Sequence, residues 1–552
     1  MNESIDTQVL VIGAGPVGLT LALDLASRGL QVTVVETRSF GEAPSVKCNH
    51  VSARSMEIFR RLGVSEKVRA AGLPDDFPHD VSYRTSATGI ELTRIKIPSR
   101  NGRKSGAEGP DTAWPTPESP HRVNQIYLEP VLIEHAAAAA GIRLLNRTEI
   151  VDFNQDEDGV TATAHDLETG EKTAIRSDFM IGCDGGRSFV RKEIGARFIG
   201  DAVVQRVQST YIRAPGLLDL LKAGPAWAMF SLNPRRSGNT YAIDGKEKWL
   251  VHNYLRDDEP DFESVDRDRS IRTILGVDDD FEIEVLNKED WFGRRLVADK
   301  FRDRRVFICG DAAHLWVPYA GYGMNAGIAD AANLAWLMAA HLQGWAPIEI
   351  LSAHEAERQP ITEQVSRFAM NHAHKMAQQR GSVPADIEAE GPEAEHKRAE
   401  LGRRAYALNV RQYCCGGLNF GYYYDTSPII CYDGVAQPDY SMDMFESSTV
   451  PGCRAPHFWF EDGRSLYDAM GDGFALLRLD PDVDVSPFET AATQCGLPFK
   501  VLEATSDEAG TAYSSRLVLV RPDQHVAWRG DTLPKDTPAL VDTIRGAGTT
   551  AA

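Results

Sequence analysis

Three glycine-bearing segments each follow an apolar run and carry residue types suited to binding a phosphate or a sugar. In the first, Gly13, Gly15 and Gly18 form a GxGxxG pattern directly after the apolar run 8–12. Such glycines permit a tight turn, let a pyrophosphate approach the backbone, and let the following helix pack closely on the strand. Glu36 follows a second apolar run, about 20 residues further on, where an acidic side chain usually holds a ribose. The pattern indicates dinucleotide binding; a βαβ packing unit without a ligand is the alternative.

The second segment places a carboxylate and glycines after another apolar run. Phe179 to Cys183 is typical of a buried strand, and Asp184 and Gly185 follow it before a helix that starts near Ser188. A carboxylate at the carboxyl end of a strand is well placed to meet a sugar or a phosphate. A turn with a helix cap explains this segment equally well.

The third segment repeats this order and leads into a long helix. Gly310 and Asp311 follow the predicted strand 306–309, and a glycine-containing loop then enters an alanine-rich helix from about Met324. Helix N-termini attract anions, so this segment and the first can both serve one cofactor-sized cavity. A surface loop with a buried helix is the alternative, but it gives no reason for the Asp at the strand end.

The length and composition are those of a folded protein with several domains. Of the 552 residues, 43% are hydrophobic and 25% are charged, which excludes a disordered, collagen-like or fibrous chain. Lys and Arg number 59 against 79 Asp and Glu, so the formal net charge is −20. An acidic surface of this size repels phosphate backbones and anionic membranes, so we expect no nucleic-acid partner and no membrane partner.

The cysteines and the amino terminus do not indicate an exported or metal-binding protein. The eight cysteines form no CxxC pair and no Cys/His spacing typical of a zinc site, so we predict no disulfide scaffold and no metal. The first residues, MNESIDTQ, lack the basic region of a signal peptide, and Asp24 and Arg28 interrupt the apolar stretch that follows. We therefore expect a soluble, cytoplasmic protein.

Taken together, the three segments resemble those of the group A flavoprotein monooxygenases, the FAD-dependent aromatic hydroxylases typified by para-hydroxybenzoate hydroxylase and phenol hydroxylase. The resemblance extends to SVKCNHVSARSMEIFRRLG from Ser45 and HRVNQIYLEPVL from His121, and it covers nearly the whole chain. It implies an α/β fold with a Rossmann-like FAD-binding domain of the para-hydroxybenzoate hydroxylase type, an inserted β-sheet substrate domain and a C-terminal thioredoxin-like domain. The cofactor-binding residues that it implies are Gly13, Gly15, Pro16, Gly18, Glu36, Thr37, Arg38, Lys47, Arg54, Arg122, Gln125, Asp184, Gly185, Arg187, Gly310, Asp311, Pro318, Gly321, Gly323, Met324 and Asn325.

The chain departs from the family pattern at several positions. Ala320 stands in PYAGYGMN where a glycine is common, and Lys47 stands where an arginine is more frequent. Phenol hydroxylase carries an Asp shortly before the arginine matched by Arg54, and Asn49 and His50 occupy that place here. A neutral histidine could accept a phenolic proton near its ordinary pKa of about 6.5, whereas an asparagine could only form a hydrogen bond. A structural histidine is the alternative; the catalytic candidates are His50, Asn49 and Pro318.

From about Ser427 the chain changes character. The segments GFALLRLD, SPFETAATQCG, FKVLEA and SRLVLVRPDQHVAWRG, with a final helix near Pro538 to Ile544, give a β-α-β-β-α order that resembles the C-terminal domain of phenol-hydroxylase-type members. The redox motif of true thioredoxins is missing, so we expect a role in assembly or in covering the active site. The predicted domains are an FAD-binding domain at 1–80, 105–194 and 286–380, a substrate domain at 81–104 and 195–285, a linker and helix at 381–426, and the thioredoxin-like domain at 427–552.

The resemblance implies that NADPH or NADH reduces FAD, that O2 then forms a flavin C4a-hydroperoxide, and that one oxygen atom enters a phenolic aromatic substrate. The alternative is an FAD enzyme of the same fold acting on a larger non-phenolic substrate by epoxidation, Baeyer–Villiger insertion or dehydrogenation. A flavin-binding scaffold without turnover is a third hypothesis, and the presence of three cofactor motifs argues against it. We expect a small aromatic substrate as the partner, and a homo-oligomer. The predicted substrate residues, in strand-like segments between Gly195 and Asp290, are Trp227, Tyr241, His252 and Asn253.

Overall fold

The computed structural model describes residues 5–112, 114–317, 321–414, 416–441 and 444–548, which form three β-sheets with helices packed around them. In chain order the strands are β1 (Ile5–Ile12), β2 (Val32–Val35), β3 (Val81–Arg84), β4 (Glu91–Ile95), β5 (Ile142–Leu145), β6 (Thr148–Gln155), β7 (Val160–Asp166), β8 (Lys172–Gly182), β9 (Phe198–Arg213), β10 (Ala228–Ser231), β11 (Gly238–Ala242), β12 (Lys248–Tyr254), β13 (Glu284–Ala298), β14 (Arg302–Asp303), β15 (Val306–Ile308), β16 (His314–Leu315), β17 (Phe474–Arg478), β18 (Phe499–Glu503), β19 (Leu517–Val520) and β20 (Val526–Gly530). The helices are α1 (Pro16–Ser27), α2 (Ala53–Arg61), α3 (Ser65–Ala70), α4 (Arg100–Lys104), α5 (Gln125–Ala137), α6 (Phe189–Glu193), α7 (Leu217–Leu220), α8 (Arg267–Leu275), α9 (Tyr322–Leu342), α10 (Ser352–Gly381), α11 (Pro392–Cys414), α12 (Gly416–Phe420), α13 (Leu466–Met470), α14 (Ser486–Gln494), α15 (Asp507–Ala512) and α16 (Thr537–Ile544). The predicted α/β class is confirmed.

The first sheet brings the three glycine-bearing segments to one edge. Its order is β14-β15-β8-β1-β2-β5, with β6 and β7 added beside β8, and the strands from β15 to β5 are parallel. Residues 9–11 are fully buried because β1 lies in the middle of the sheet, with helices packed on it. Ile12 pairs with Gly182, which also pairs with Ile308, so the carboxyl ends of β1, β8 and β15 lie side by side. This edge of a parallel sheet is where such folds bind ligands.

The second sheet has the order β16-β13-β9-β12-β11-β10-β3-β4 and is antiparallel except where β10 pairs with β3. The long strand β13 pairs with β9 along most of its length. The predicted boundary at residue 285 therefore cuts through the start of β13, and most of this strand belongs to the second sheet rather than to the first. The division of the chain into domains otherwise stays a prediction.

A four-stranded C-terminal sheet has the order β18-β17-β19-β20. β17 and β18 are parallel and are joined through α14, whereas β19 and β20 form an antiparallel hairpin. The segment from Ser515 to Gly530, predicted as a strand with an internal turn at Pro522, Asp523 and Gln524, forms β19 and β20 on either side of that turn, and the short helix α15 was not predicted. A thioredoxin-like relationship for this part stays a prediction.

The segment predicted as a linker and helix, 381–426, contains the helices α11 and α12. α11 starts at Pro392, directly after Gly391, and Gly402 lies against the backbone of Leu92 in β4. Contact with the second sheet therefore stabilises a helix in a polar sequence. None of the described helices is long and apolar enough to span a membrane.

Candidate active site

A cavity of about 450 Å³ lies between the first and second sheets. The first sheet and its loops contribute Gly15, Pro16, Val17, residues 46–50, Gln125, Cys183, Gly185, Cys309, Asp311, Trp316, Gly321, Gly323 and Met324. The second sheet and α11 contribute Gln205, Ser209, Trp227, Phe230, Asn239, Tyr241, Leu250, His252, Tyr254, Glu289, Trp291, Phe292, Leu315, Gln412 and Tyr413. The cavity thus joins residues of all three glycine-bearing segments to the predicted substrate strands.

The turn between β1 and α1 exposes helix N–H groups to the cavity. Gly15 is the N-cap of α1, and in the described structure no side chain caps this helix end. A methyl group on Gly15 would meet no other atom within 4 Å, so the backbone here faces open space. By contrast, a methyl group on Gly18 would approach the Gly13 carbonyl oxygen to 2.0 Å. The helix start is therefore tightly packed on its inner side and open to an anion on its outer side.

Glu36 lies beside this turn in a smaller recess. Its carboxylate accepts hydrogen bonds from the Ala14 N–H at 2.8 Å and from the Arg38 N–H at 2.9 Å. Burial raises the pKa of Glu36, but the hydrogen bonds from Arg38 and Ala14 outweigh it and the pKa is lowered. Arg38 also forms an ion pair with Glu129, and Thr37 donates to Glu36. An ionised acceptor is thus held where a ribose hydroxyl could donate to it.

Asp184 carries a carboxylate oxygen without a partner. Its Oδ2 accepts from the Val190 N–H at 3.1 Å, whereas Oδ1 is buried and finds no hydrogen-bond partner in the described structure. Gly185 lines the cavity beside it. Arg187, predicted as a cofactor neighbour, is exposed and is not among the lining residues. Neither Asp184 nor Arg187 is among the residues that line the cavity, so the contact of Asp184 with a ligand stays a prediction.

Asp311 projects into the cavity from the end of β15. Its side chain is exposed to the cavity, and desolvation by the surrounding protein raises the pKa of its carboxyl group. The neighbouring Gly310 N–H donates to Asp330 in α9 at 3.2 Å. This contact fixes the backbone that carries Asp311.

The start of α9 forms the floor of the cavity through Gly321, Gly323 and Met324. Gly321 has φ +64°, and a methyl group there would approach the His50 Cβ to 3.1 Å, so a larger residue would be strained. Asn325 does not line the cavity; its amide donates to the carbonyls of His50 at 3.0 Å and Gly321 at 2.6 Å. Asn325 thus ties two cavity loops together. Pro318 and Ala320 lie outside the described residues.

Arg54 and Arg122, like Arg187, lie outside the cavity lining. Arg54 is buried, and its guanidinium donates to Glu57, to the Asp523 carbonyl and to Gln524. The expectation that it lines the FAD site is corrected: its donors are directed to the C-terminal part of the chain. Arg122 lies behind the cavity wall, with its guanidinium 4.8 Å from the Trp227 ring.

Lys47 and Gln125 do line the cavity. The Lys47 ammonium forms an ion pair with Glu289 of β13 at 2.8 Å. Gln125 donates to Glu129, the partner of Arg38. Lys47 therefore joins the loop 46–50 to the second sheet.

His50 and Asn49 both line the cavity, but His50 is a poor base. Burial and the Arg122 guanidinium, which contacts Nδ1, lower the pKa of His50 well below its ordinary value. The imidazole is neutral at physiological pH and has little affinity for a phenolic proton. The lowered pKa argues against His50 as the base that deprotonates the substrate, and this role stays a prediction. Asn49 accepts a hydrogen bond from Asn124.

Three of the four predicted substrate residues face the cavity: Trp227, Tyr241 and His252. Asn253 does not, because neighbours on a strand point to opposite faces of the sheet. Its side chain is buried on the other face, donating to Gln208 at 2.8 Å and accepting from Arg236. His252 and Asn253 are consecutive residues of β12, so strand alternation excludes that both side chains face the cavity.

Sequence analysis missed a row of polar residues beside His252. Register pairs Asn239 with His252, His252 with Ser209, and Ser209 with Glu289, so four adjacent strands each contribute one polar side chain. All four line the cavity. Alternation identifies residues of one face within a strand, but the pairing of β11, β12, β9 and β13 could not be deduced from it.

The cavity wall fits FAD on its own geometry. An uncapped start of α1 suits a pyrophosphate, while Glu36 and Asp311 offer acceptors for ribose and ribityl hydroxyls. The unpartnered Asp184 Oδ1 requires a donor that the described protein does not supply. The residues that could hold FAD are therefore those of the turn 13–18, Glu36, residues 184–185, residues 310–311 and the loop 321–324.

Comparisons with known proteins agree with this arrangement. Residues 6–369 match the family described as FAD binding domain, and residues 448–547 match the one described as aromatic-ring hydroxylase, C-terminal. The tetracenomycin B2 monooxygenase-dioxygenase of Streptomyces olivaceus is 30% identical over 98% of this chain and 98% of its own length. The phenol 2-monooxygenase of Pseudomonas sp. strain EST1001 is 27% identical over 99% of this chain and 94% of its own length. The solved structure of the rebeccamycin biosynthetic enzyme RebC with reduced flavin is 34% identical, covers 99% of this chain and 100% of its own, and has a TM-score of 0.88.

Replacing Asp311 by Ala should weaken FAD binding. Losing a hydrogen bond to a charged group costs about 1.5–3 kcal/mol, so we expect the FAD dissociation constant to rise about 10–100-fold. Because the carboxylate must be ionised to act as a full acceptor, wild-type affinity should fall as the pH falls through its raised pKa, and Asp311→Asn should lack this dependence. Fluorescence titration of apoprotein with FAD measures both effects. Asp6→Ala on the exposed start of β1 is the control, and unchanged affinity in Asp311→Ala would contradict the assignment.

Replacing His50 by Gln should leave the shape of the pH profile unchanged. A histidine whose pKa is lowered stays neutral from pH 6 to pH 8, so it contributes no titration there. We expect kcat/KM to fall by a similar factor at every pH in this range, because only the contact with Arg122 is lost. The measurement is the pH dependence of substrate-stimulated reductant oxidation. If the wild-type pH profile changes near pH 6.5 and this change is absent from the variant, His50 acts as a base.

Proposed function

The chain belongs to the FAD-dependent aromatic-ring hydroxylases, and on this premise we propose that it uses NADPH or NADH and O2 to hydroxylate a phenolic compound of several rings. It is an FAD-dependent monooxygenase of this family. The choice of a phenolic substrate, the size of that substrate and the nicotinamide reductant are the proposal.

The observation that carries the proposal is the polar row Asn239, His252, Ser209 and Glu289. Neighbouring strands are about 4.8 Å apart, so the row extends for about 14 Å across the sheet. A single phenol ring is shorter than two strand spacings and would contact only part of the row. An elongated ring system with oxygen substituents along one edge would contact more of these groups.

Aromatic side chains border the row on both sides. Tyr241 packs against Trp227 with ring centroids 5.6 Å apart, and Trp291 packs against His252 at 5.7 Å. Flat apolar walls with a few polar groups favour a planar aromatic ligand. The relatives named for phenol and for tetracenomycin B2 support an aromatic substrate, and the length of the row favours the larger of the two possibilities.

His252 is the group best suited to a substrate hydroxyl. Burial lowers its pKa to about 4, so the ring is neutral and offers one donor and one acceptor nitrogen. A donor directed at a phenolic oxygen stabilises the phenolate and makes the ring a better nucleophile. This role of His252 does not require a strong base in the cavity. The lowered pKa of His50 therefore does not conflict with it.

The remaining lining residues bind the cofactor and exclude water. FAD supplies the activation of O2 that side chains cannot provide. The backbone N–H groups at the start of α9 would stabilise negative charge on the cofactor ring. Trp316, Trp291 and Phe292 keep the space between the cofactor wall and the polar row apolar, which limits unproductive loss of activated oxygen to water.

The direct test uses purified holoenzyme with NADPH and NADH against phenols of one, two, three and four rings. We expect reductant oxidation to be stimulated most by multi-ring phenols and the product to gain one oxygen atom by mass spectrometry. If reductant oxidation is coupled most tightly to hydroxylation with a single-ring phenol, the proposed size of the substrate is wrong. A desaturated or ring-expanded product would indicate dehydrogenation or Baeyer–Villiger insertion, the alternative for a non-phenolic substrate.

Replacing His252 by Leu should impair substrate use without impairing FAD binding. Loss of one hydrogen bond to a reacting hydroxyl should lower kcat/KM about 10–100-fold, with a larger share of the oxygen released as peroxide. Steady-state kinetics, peroxide yield and FAD content are measured together. His165→Leu on β7 of the first sheet is the matched control, and wild-type coupling in His252→Leu would exclude the role.

A further inference from the structure

The turn between β19 and β20 places buried charged groups of the C-terminal sheet against the FAD-binding part of the chain. Arg521 is fully buried and donates to both carboxylate oxygens of Glu357 in α10, at 2.6 and 2.8 Å. It also donates to Asp523 at 2.6 Å, and its guanidinium lies 4.9 Å from the Trp336 ring of α9. The cation is therefore shared between two buried anions on different parts of the chain.

One set of hydrogen bonds leads from Arg521 to the strand end that carries Asp311. Glu357 accepts from Asn333 of α9 at 2.7 Å, which fixes α9 against α10. The next residue of α10, Arg358, donates to Asp330 at 2.8 Å, and Asp330 accepts from the Gly310 N–H. Glu357, which contacts the C-terminal turn, and Arg358, which contacts Asp330, are thus neighbours in α10.

A second set leads to the loop 46–50. The Asp523 carbonyl accepts from Arg54 at 2.7 Å, and Gln524 accepts from the same guanidinium. Arg54 lies in the first turn of α2, whose N-cap Ser52 donates its N–H to Asn325 at 2.8 Å. Asn325 also holds the His50 carbonyl of the cavity loop. The loop 46–50 before α2 and the loop before α9 are therefore both linked to the turn between β19 and β20.

The energetics of these groups make the contact specific. A buried ion pair that loses one partner leaves an uncompensated charge, which is far more costly than a lost surface pair. Without Arg521, Glu357 and Asp523 would be two buried anions, and each would accept hydrogen bonds only from weaker, neutral donors. Relief of this cost requires α10 and the turn itself, which carry these anions, to move.

We propose that Arg521 and Asp523 are positioning residues for FAD, through which the C-terminal part of the chain sets the geometry of the cofactor cavity. The function of this part is then to hold the loops 46–50 and 321–325 and the strand end at Gly310 in register. The proposal concerns FAD binding and does not depend on the identity of the substrate.

The test measures FAD affinity by fluorescence titration, and hydrogen exchange of the peptides that contain 46–52 and 321–325. Arg521→Met should raise the FAD dissociation constant about 10–100-fold, comparable to the effect of removing a hydrogen-bond partner of a metal ligand, and should speed exchange in both peptides. Leu477→Ala is the matched control, since Leu477 is fully buried in a cluster formed by C-terminal residues alone. It should lower thermal stability and leave FAD affinity unchanged.

A rescue experiment separates positioning from general destabilisation. If the unpaired Glu357 anion causes the loss, Arg521→Met/Glu357→Gln should recover much of the FAD affinity that Arg521→Met loses. Additive loss in the double variant, or the same affinity in Arg521→Met and wild type, would overturn the proposal. Asp523→Asn provides the same test with a smaller change if Arg521→Met does not fold, and wild-type affinity and exchange in that variant would also overturn it.

Discussion

The carboxylate of Asp330 is the interaction on which the cavity depends. It is fully buried in α9 and accepts from the Gly310 N–H, from His314 Nε2 at 2.7 Å and from Arg358 at 2.8 Å. Burial alone would raise the pKa of Asp330, but His314 and Arg358 hold it below the ordinary value. A buried charge is tolerated only when it is paired in this way. The pairing fixes β15, the following loop, α9 and α10 relative to one another.

With these elements fixed, the two sheets enclose a single space with two chemically different walls. One wall offers helix N-termini, backbone N–H groups and the carboxylates that suit a nucleotide. The other offers the row from Asn239 to Glu289 between aromatic rings. The ion pair between Lys47 and Glu289 joins the walls directly. A redox cofactor and an aromatic ring can therefore meet in the same enclosed volume, which is the requirement for a monooxygenase that must exclude water.

The order of strand, turn and helix in the three glycine-bearing segments could be predicted because the signal is local. The turn at 13–18, Asp184 with Gly185, and Gly310 with Asp311 are each specified by a strand, a glycine and a helix start that are adjacent in the chain. Sequence analysis failed where long-range contacts decide. Arg54 matches a family position, but acceptors on Asp523 and Gln524, more than 460 residues away, determine the direction of its guanidinium. The lowered pKa of His50 arises from burial and from Arg122, and neither can be deduced from the local sequence. The prediction that Asn253 contacts the substrate was wrong, although strand alternation alone excludes Asn253 from the face of the sheet that carries His252.

The most direct measurement of this account is a crystal structure of the protein grown with FAD and soaked with a multi-ring phenol. We predict that the pyrophosphate lies at the start of α1, the flavin ring lies against residues 321–324, and the phenol oxygens lie within hydrogen-bond distance of His252 and its neighbours in the row. Flavin density elsewhere, or a phenol bound away from the row in the second sheet, would contradict the account.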